Sequence, residues 1–347
     1  MRVGTAKAAA ADWVVRHASR EAEFRGAYFS GSTVGMPDDG ELPAASDVDV
    51  VVVTSHAEPP PKPGKFLHRG ALLEVTYLSE RQLASAEEVL SNYHLAGGFR
   101  RDTIIADPTG HLRSLQADVS RRFAEPAWVR RRCEDALRKI ENGLRSADPA
   151  APLHDRVLAW LFPAGVTCHV LLAAALRNPT VRLRYLAARG VLRDYGRDSL
   201  YPELLRLLGC ADWTPKRAER HVAGLARTFD AAAAAARTPF PFRTDITAAA
   251  RPIAIDGSLE LIRAGNHREA VFWIVATYAR CHKILAADAP PGLRRTLAAS
   301  FEDVLADLGI ASDGDLIRRS EEVILFLPRL RETAEAIMRA NPEIADP

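Results

Sequence analysis

Three short stretches decide how this chain folds: FSGS at residues 29–32, SDVDVVVVTS at 46–55 and ALLEVTYLS at 71–79. The second is a run of β-branched residues too continuous for a surface helix, which predicts a buried strand. The first closes GAYFSGS at 26–32, a strand running into a Gly/Ser turn. The third alternates well enough to be another strand, with Glu74 set among apolar neighbours.

Outward from these runs, the Pro-rich segment AEPPPKPGK at 57–65 leads into KFLHR at 65–69 and a turn at Gly70, so a hairpin follows the DVD strand. SERQLASAEEVLSNYHLA at 79–96 returns to helical spacing with Ser79 as N-cap, and RDTIIADPTGHL at 101–112 supplies a short strand ending in an Asp-Pro-Thr-Gly turn. With the N-terminal segment as a first helix, the order is helix, strand, helix, strand, strand, helix, strand.

Beyond Glu125 nearly everything has helical spacing. Helices are predicted at 127–146, 153–176 with a break near Pro163, 180–195, 199–209, 214–237, 257–264, 266–287, 291–308 and 313–340. NHREAVFWIVATYARCHKIL at 266–285 is the expected centre of the second core. The chain therefore reads as α+β: residues 1–124 form a small mixed sheet with helices, and residues 125–347 form an all-α domain.

Composition fits that division. At 347 residues one core does not serve the whole chain, and 48% apolar with 26% charged residues is an ordinary globular balance. A net charge of +2 offers no basic stripe, so nucleic acid is not the expected partner. Cys133, Cys168, Cys210 and Cys281 form no CxxC pair, which argues against a zinc site or a disulfide framework and suits a reducing cytoplasm. The stretch from Val157 to Leu176 lacks Asp, Glu, Lys and Arg for twenty residues, long enough to span a bilayer. Pro163, Gly165, Thr167 and His169 interrupt it, so buried helix rather than membrane is the expectation.

The chemistry concentrates in the first part. Residues two apart on a strand share a face, so Asp47 and Asp49 project two carboxylates side by side. Such a pair repels itself and needs protons or cations; an oxygen-only ligand set selects a hard ion such as Mg²⁺. Glu74, on a strand able to lie beside the DVD strand, adds a third carboxylate suited to metal ligation or proton acceptance. Gly31 and Ser32 stand at the turn upstream, where a glycine permits close approach of an anion and N–H groups at a helix start can bind phosphate.

FSGS, then SDVDVVVV, then LLEVTYL resembles the nucleotidyltransferase fold of the DNA polymerase β superfamily, and is most similar to aminoglycoside nucleotidyltransferases of the streptomycin/spectinomycin adenylyltransferase and kanamycin nucleotidyltransferase kind. The resemblance spans about residues 24–115, with a general likeness in the helical half. It implies an enzyme that moves a nucleoside monophosphate, most often AMP from ATP, onto a hydroxyl of a small acceptor and releases pyrophosphate. Gly31 and Ser32 would hold the triphosphate, Asp47 and Asp49 would bind Mg²⁺, and Glu74 would serve as base or metal ligand. The helical domain would close one wall of a cleft. Two departures from the pattern are the insertion-like MPDDGELPAA at 36–45 and a shorter interval between the acid pair and Glu74. Alternatives are transfer to a protein or tRNA, and a non-catalytic nucleotide-binding module.

Plainer structural readings compete at each position. Asp47 and Asp49 could mark a solvated strand end, Glu74 an edge-strand surface, Ser32 a helix cap and Ser46 a turn. His169 reads as a core histidine. Arg130, Arg131, Arg132 and Lys139, and likewise Arg182 and Arg184, could reach a triphosphate but read first as basic helix faces. Asp38, Asp39 and Glu41 read as a solvated loop whose charge could attract a cationic acceptor.

Overall fold

The structure, a computed structural model, describes residues 1–345. It is an α+β protein, 61% helical, with one five-stranded mixed sheet. The chain divides into two compact units. The first comprises Met1–Arg132, Leu176–Pro179 and the residues from Pro342 onward; the second comprises Cys133–Ala175 and Thr180–Asn341.

The first unit carries helix α1 (Val3–Arg16) and strands β1 (Phe24–Ser30), β2 (Val48–Thr54), β3 (Gly64–His68) and β4 (Ala71–Ser79). Helix α2 (Ala86–Ser91), strand β5 (Ile104–Ala106) and helix α3 (His111–Arg122) complete it. The strands lie in the order β3-β4-β2-β1-β5. β2 and β4 are parallel, and the other neighbours are antiparallel. KFLHR thus contributes a strand of its own, at the sheet edge, and ALLEVTYLS sits inside the sheet against the Val-rich β2.

Each face of this sheet has its own cover. Val48, Val50, Val52, Leu73 and Val75 face α1, whose small residues Ala6, Ala9 and Ala10 with Val14 let the helix approach closely. On the opposite face Leu112 of α3 lies over Gly26, and Tyr28 packs on Phe99 with ring centroids 4.7 Å apart. The segment after β1 is a single turn of 3-10 helix, Ser32–Gly35, rather than the helix expected there. After that one turn the chain leaves as the loop 36–47, which runs past the start of α1 before it enters β2.

Arg69 and Gly70 form the two-residue connection of the β3–β4 hairpin, with φ of 48° and 80°. Two positive φ values are what a tight hairpin of this hand requires, and glycine or asparagine is the usual occupant. An arginine there costs about 1–2 kcal/mol of backbone strain. The insertion-like loop is pinned to the start of α1, with Val3 N–H donating to Gly40 O, Gly4 N–H to Asp38 O, and Lys7 paired with Asp38 at 2.9 Å.

The second unit is helical: α4 (Pro126–Arg145, which begins in the first unit), α5 (Leu153–Ala174), α6 (Arg184–Asp194), α7 (Tyr201–Leu208) and α8 (Pro215–Ala235). The one-turn α9 (Arg251–Ala254), α10 (Asp256–Arg263), α11 (Val271–Asp288), α12 (Pro291–Asp307) and α13 (Asp313–Ala340) follow. α11 is the core helix, buried without interruption from Val271 to Ala279. Its Tyr278 hydroxyl donates to the His221 carbonyl of α8.

α5 does not break at Pro163. The helix runs through it, and the proline ring fills the space over Gly143 of α4, where any side chain would collide with it. α5 is the one helix among the described residues long and apolar enough to cross a membrane, and most of it is buried against α6, α11 and α13. The four cysteines are free thiols, all buried.

Leu73 is fully buried between α1 and the sheet. Leu73→Ala is expected to cost the first unit about 2–5 kcal/mol, read as a lower urea midpoint at unchanged slope.

Candidate functional site

Strand register, rather than loop geometry, assembles the site. β3 pairs Lys65 with Glu74 of β4, β4 pairs Glu74 with Asp49 of β2, and β2 pairs Asp49 with Ser30 of β1. Lateral neighbours in a sheet share a face, so Lys65, Glu74, Asp49 and Ser30 form one polar row across four strands, on the face away from α1. Asp47 lies just before β2, two residues ahead of Asp49 and on the same side. One carboxylate oxygen from each of Asp47, Asp49 and Glu74 lies within 4.8 Å of the others. Glu74 is not on an edge strand, and its side chain is 19% exposed. The edge-surface reading therefore fails.

Gly31 closes the row from the β1 side. Its φ of 67° and ψ of −156° belong to a region that only glycine occupies readily. A Cβ built on it would land on the Asp49 carboxylate. The glycine is thus required twice, by the chain direction and by the acid behind it. Ser32 follows it, exposed, as the first residue of the 3-10 turn. It is not the cap of a long helix.

Two lysines complete the cluster. Lys65 Nζ lies 2.6 Å from Asp47 Oδ2 and is also hydrogen-bonded to Glu74 Oε2, with only 6% of its side chain exposed. Lys62 Nζ lies 2.6 Å from Glu74 Oε1. The sequence reading passed over both. Lys65 was within reach of it, since counting back from the two-residue turn at Arg69 and Gly70 sets 65 opposite 74. Lys62, on the Pro-rich connection, carries no such signal.

The electrostatics divide the three acids. Burial pushes Asp49 up to about 8, and the negative charges of Asp47 and Glu74 push in the same direction, against the partial relief of the lysines. Burial also pushes Glu74 upward, but its hydrogen bonds and attraction to Lys65 and Lys62 outweigh that and hold it at about 2. Glu74 is thus a firmly ionised carboxylate, and Asp49 is the member that holds a proton at neutral pH. Oxygen-only donors at this spacing suit a hard divalent ion, which would offset the burial and the repulsion that together keep Asp49 protonated.

The remaining candidates stand elsewhere. Arg132 is buried in the first unit, donating to Leu90 O and Phe123 O, so its role is to hold the backbone. Lys139 pairs with Asp135 one turn away. In the second unit Arg184 lies 3.9 Å from the Phe272 ring centroid, and Arg182 donates to Gly257 O at 3.4 Å. His169 is a core histidine with Nε2 2.9 Å from Thr180 O. Ser46 ends a turn closed by its N–H on Pro43 O. No protein-family model matches the chain, and no curated protein matches it.

Between the ordinary aspartate range and about 8 the folded chain keeps a proton at Asp49 that the unfolded chain has lost, so this group lowers stability as pH rises through that window. Glu74 works oppositely, adding stability above its ordinary value of 4.5 that is lost as pH falls toward about 2. Asp49→Asn is therefore expected to be stabilising without metal, by a margin over wild type that widens from pH 4 to pH 8 in urea titrations. Gly31→Ala is expected to cost about 1–3 kcal/mol from the backbone alone. Its overlap with Asp49 predicts a further loss, relieved in the Gly31→Ala, Asp49→Ala double variant and measured as the coupling in a double-mutant cycle.

Proposed function

We propose that the chain is a Mg²⁺-dependent nucleotidyltransferase, moving a nucleoside monophosphate, AMP from ATP by the resemblance, onto a hydroxyl of a small molecule such as an aminoglycoside-like or secondary-metabolite acceptor. One observation carries this reading: Asp47, Asp49 and Glu74 converge from the parallel pair β2 and β4, with the Gly31 turn backed against Asp49. Two adjacent carboxylates alone would suit many metal sites. A third in lateral register, beside a glycine turn, suits the transfer of a phosphorus group.

In this reading Asp47 and Asp49 hold the ion, Glu74 completes the ligand set, and Gly31 with Ser32 positions the triphosphate. A bound Mg²⁺ supplies charge neutralisation for the phosphate oxygens. The acceptor oxygen bonds to the α-phosphorus, the bond to the bridging oxygen of the β-phosphate breaks, and pyrophosphate leaves. The hydroxyl proton passes to a carboxylate of the site. Glu74 fills that role only after its lysines have moved, because an acid held at about 2 is a weak base. Lys62 and Lys65, released from the carboxylates, then neutralise the triphosphate. The nucleic-acid variant of the reaction has little support in a net charge of +2.

A second reading has one observation in its favour. The two ammoniums already satisfy Glu74 and Asp47, as in a permanent ion-paired cluster of a non-catalytic nucleotide-binding module. Pyrophosphate release distinguishes the two. With ATP, Mg²⁺ and a panel of hydroxylated amines, labelled protein and RNA, the chain is expected to release pyrophosphate with one acceptor class. Asp47→Asn and Glu74→Ala are each expected to lower the rate by about 100-fold or more. Nucleotide binding without release for any acceptor would establish the module instead.

Mg²⁺ binding must expel the Asp49 proton, so affinity is expected to rise with pH up to about 8, with proton uptake by the buffer visible in calorimetry. Binding that is flat across that range in wild type would contradict this account of the site.

A further inference from the structure

A shallow depression of about 340 Å³, open to solvent, lies on the other side of the sheet, lined by Asp12, Arg16, His17, Arg20, His68 and Arg69. Five of these six side chains are basic. They come from the last turn of α1, the 3-10 turn after it and the β3–β4 connection. The depression is separate from the acidic row, which stands on the face away from α1.

Asp12 organises the cluster. Its Oδ1 accepts from Arg16 Nε at 2.8 Å, while its Oδ2 lies 3.0 Å from His68 Nε2 and 3.1 Å from Arg69 Nε. Both guanidinium groups therefore spend their inner nitrogen on Asp12, which leaves the outer nitrogens of each fork for another acceptor. Arg20 has no ion pair or hydrogen bond from its side chain among the described residues. Beneath them His17 stacks on Trp13, with centroids 5.8 Å apart, and Trp13 packs on Phe66.

The helix end accounts for part of this charge, since a cation in the last turn of a helix is ordinarily favourable. That explains Arg16 and does not explain Arg69. Arg69 occupies a left-handed position that glycine or asparagine would take without strain. Its side chain then turns back to Asp12 with the rest of the fork unused. Three guanidiniums against one carboxylate leave an excess of two positive charges before the imidazoles are counted.

We infer that this depression is an anion site for a small phosphate-bearing ligand. A doubly charged phosphate matches the excess charge, and its several oxygens match forks from three arginines better than a single carboxylate does. The small extent of the depression, confined to six lining residues, fits a small molecule rather than an extended acidic protein segment. The inference stands independently of the chemistry at Asp47, Asp49 and Glu74.

The test is calorimetric titration of inorganic phosphate into the full chain, at neutral pH and constant ionic strength with a chelator present. Saturable binding is expected, weakened about tenfold or more in Arg69→Gly and in Arg20→Ala. Arg69→Gly keeps the hairpin turn and removes the strain of an arginine at positive φ, so a melting temperature at or above the wild-type value separates lost binding from lost folding. Lys62→Ala, at the acidic row, is expected to leave phosphate affinity unchanged. Absence of saturable binding would overturn the inference, as would binding that survives both arginine substitutions or disappears in Lys62→Ala. Hexaglutamate binding tighter than phosphate would also overturn it, by assigning the depression to an acidic protein segment.

Discussion

Like-charge repulsion across a single row of a β-sheet is the constraint on which this protein turns. Parallel pairing of β2 and β4 places Asp49 directly beside Glu74, and Asp47 joins them from the chain just ahead of β2. Three carboxylates in such a space cannot all remain ionised without cations. The fold answers with two lysines and a proton: Lys65 from the neighbouring strand, Lys62 from the Pro-rich connection, and protonation of Asp49. Each of these is an arrangement that a divalent ion would displace.

The two faces of the sheet divide the labour. Against α1 the core contacts are apolar, and small alanines let helix and sheet approach until the valines and Leu73 are sealed. That face fixes the strands. The other face is covered by Leu112, Phe99 and Tyr28 and then gives way to the polar row, so the acids rest on strands whose positions are set from behind. Precision at the site comes from strand pairing, which is stiffer than a loop.

Much of this was legible in the residues themselves. The Val run of β2 and the alternation in ALLEVTYLS announced two strands, and the helical spacing after Glu125 marked α4 to α8 and α10 to α13, while the one-turn α9 is too short to show a period. Asp47, Asp49 and Glu74 drew attention because carboxylates on apolar strands are costly. What could not be read were the pairings between distant residues. Lys62 looks like one more charge on a proline-rich connection until the fold brings it to Glu74. Arg132, grouped by sequence with Arg130 and Arg131 as a basic face, is buried on two carbonyls. Pro163 suggests a helix break to anyone who cannot see Gly143 waiting beneath it. The turn after Gly31 is shorter than its glycine-serine signature suggested, because the chain leaves it for the loop that is pinned to the start of α1.

The polar row has one more consequence, for how the chain finds its own alignment. β2 is nearly all valine, and Val51 and Val53 on one face differ little from Val50 and Val52 on the other. By apolar pattern alone such a strand could slide one residue against its neighbours with small penalty. Asp49 and Glu74 remove that freedom. A slip of one residue would turn a carboxylate toward the alanines of α1, where no ammonium could follow, so a misaligned sheet carries a buried unpaired charge. The residues that make the site costly are therefore also the ones that tell the strands where to stop.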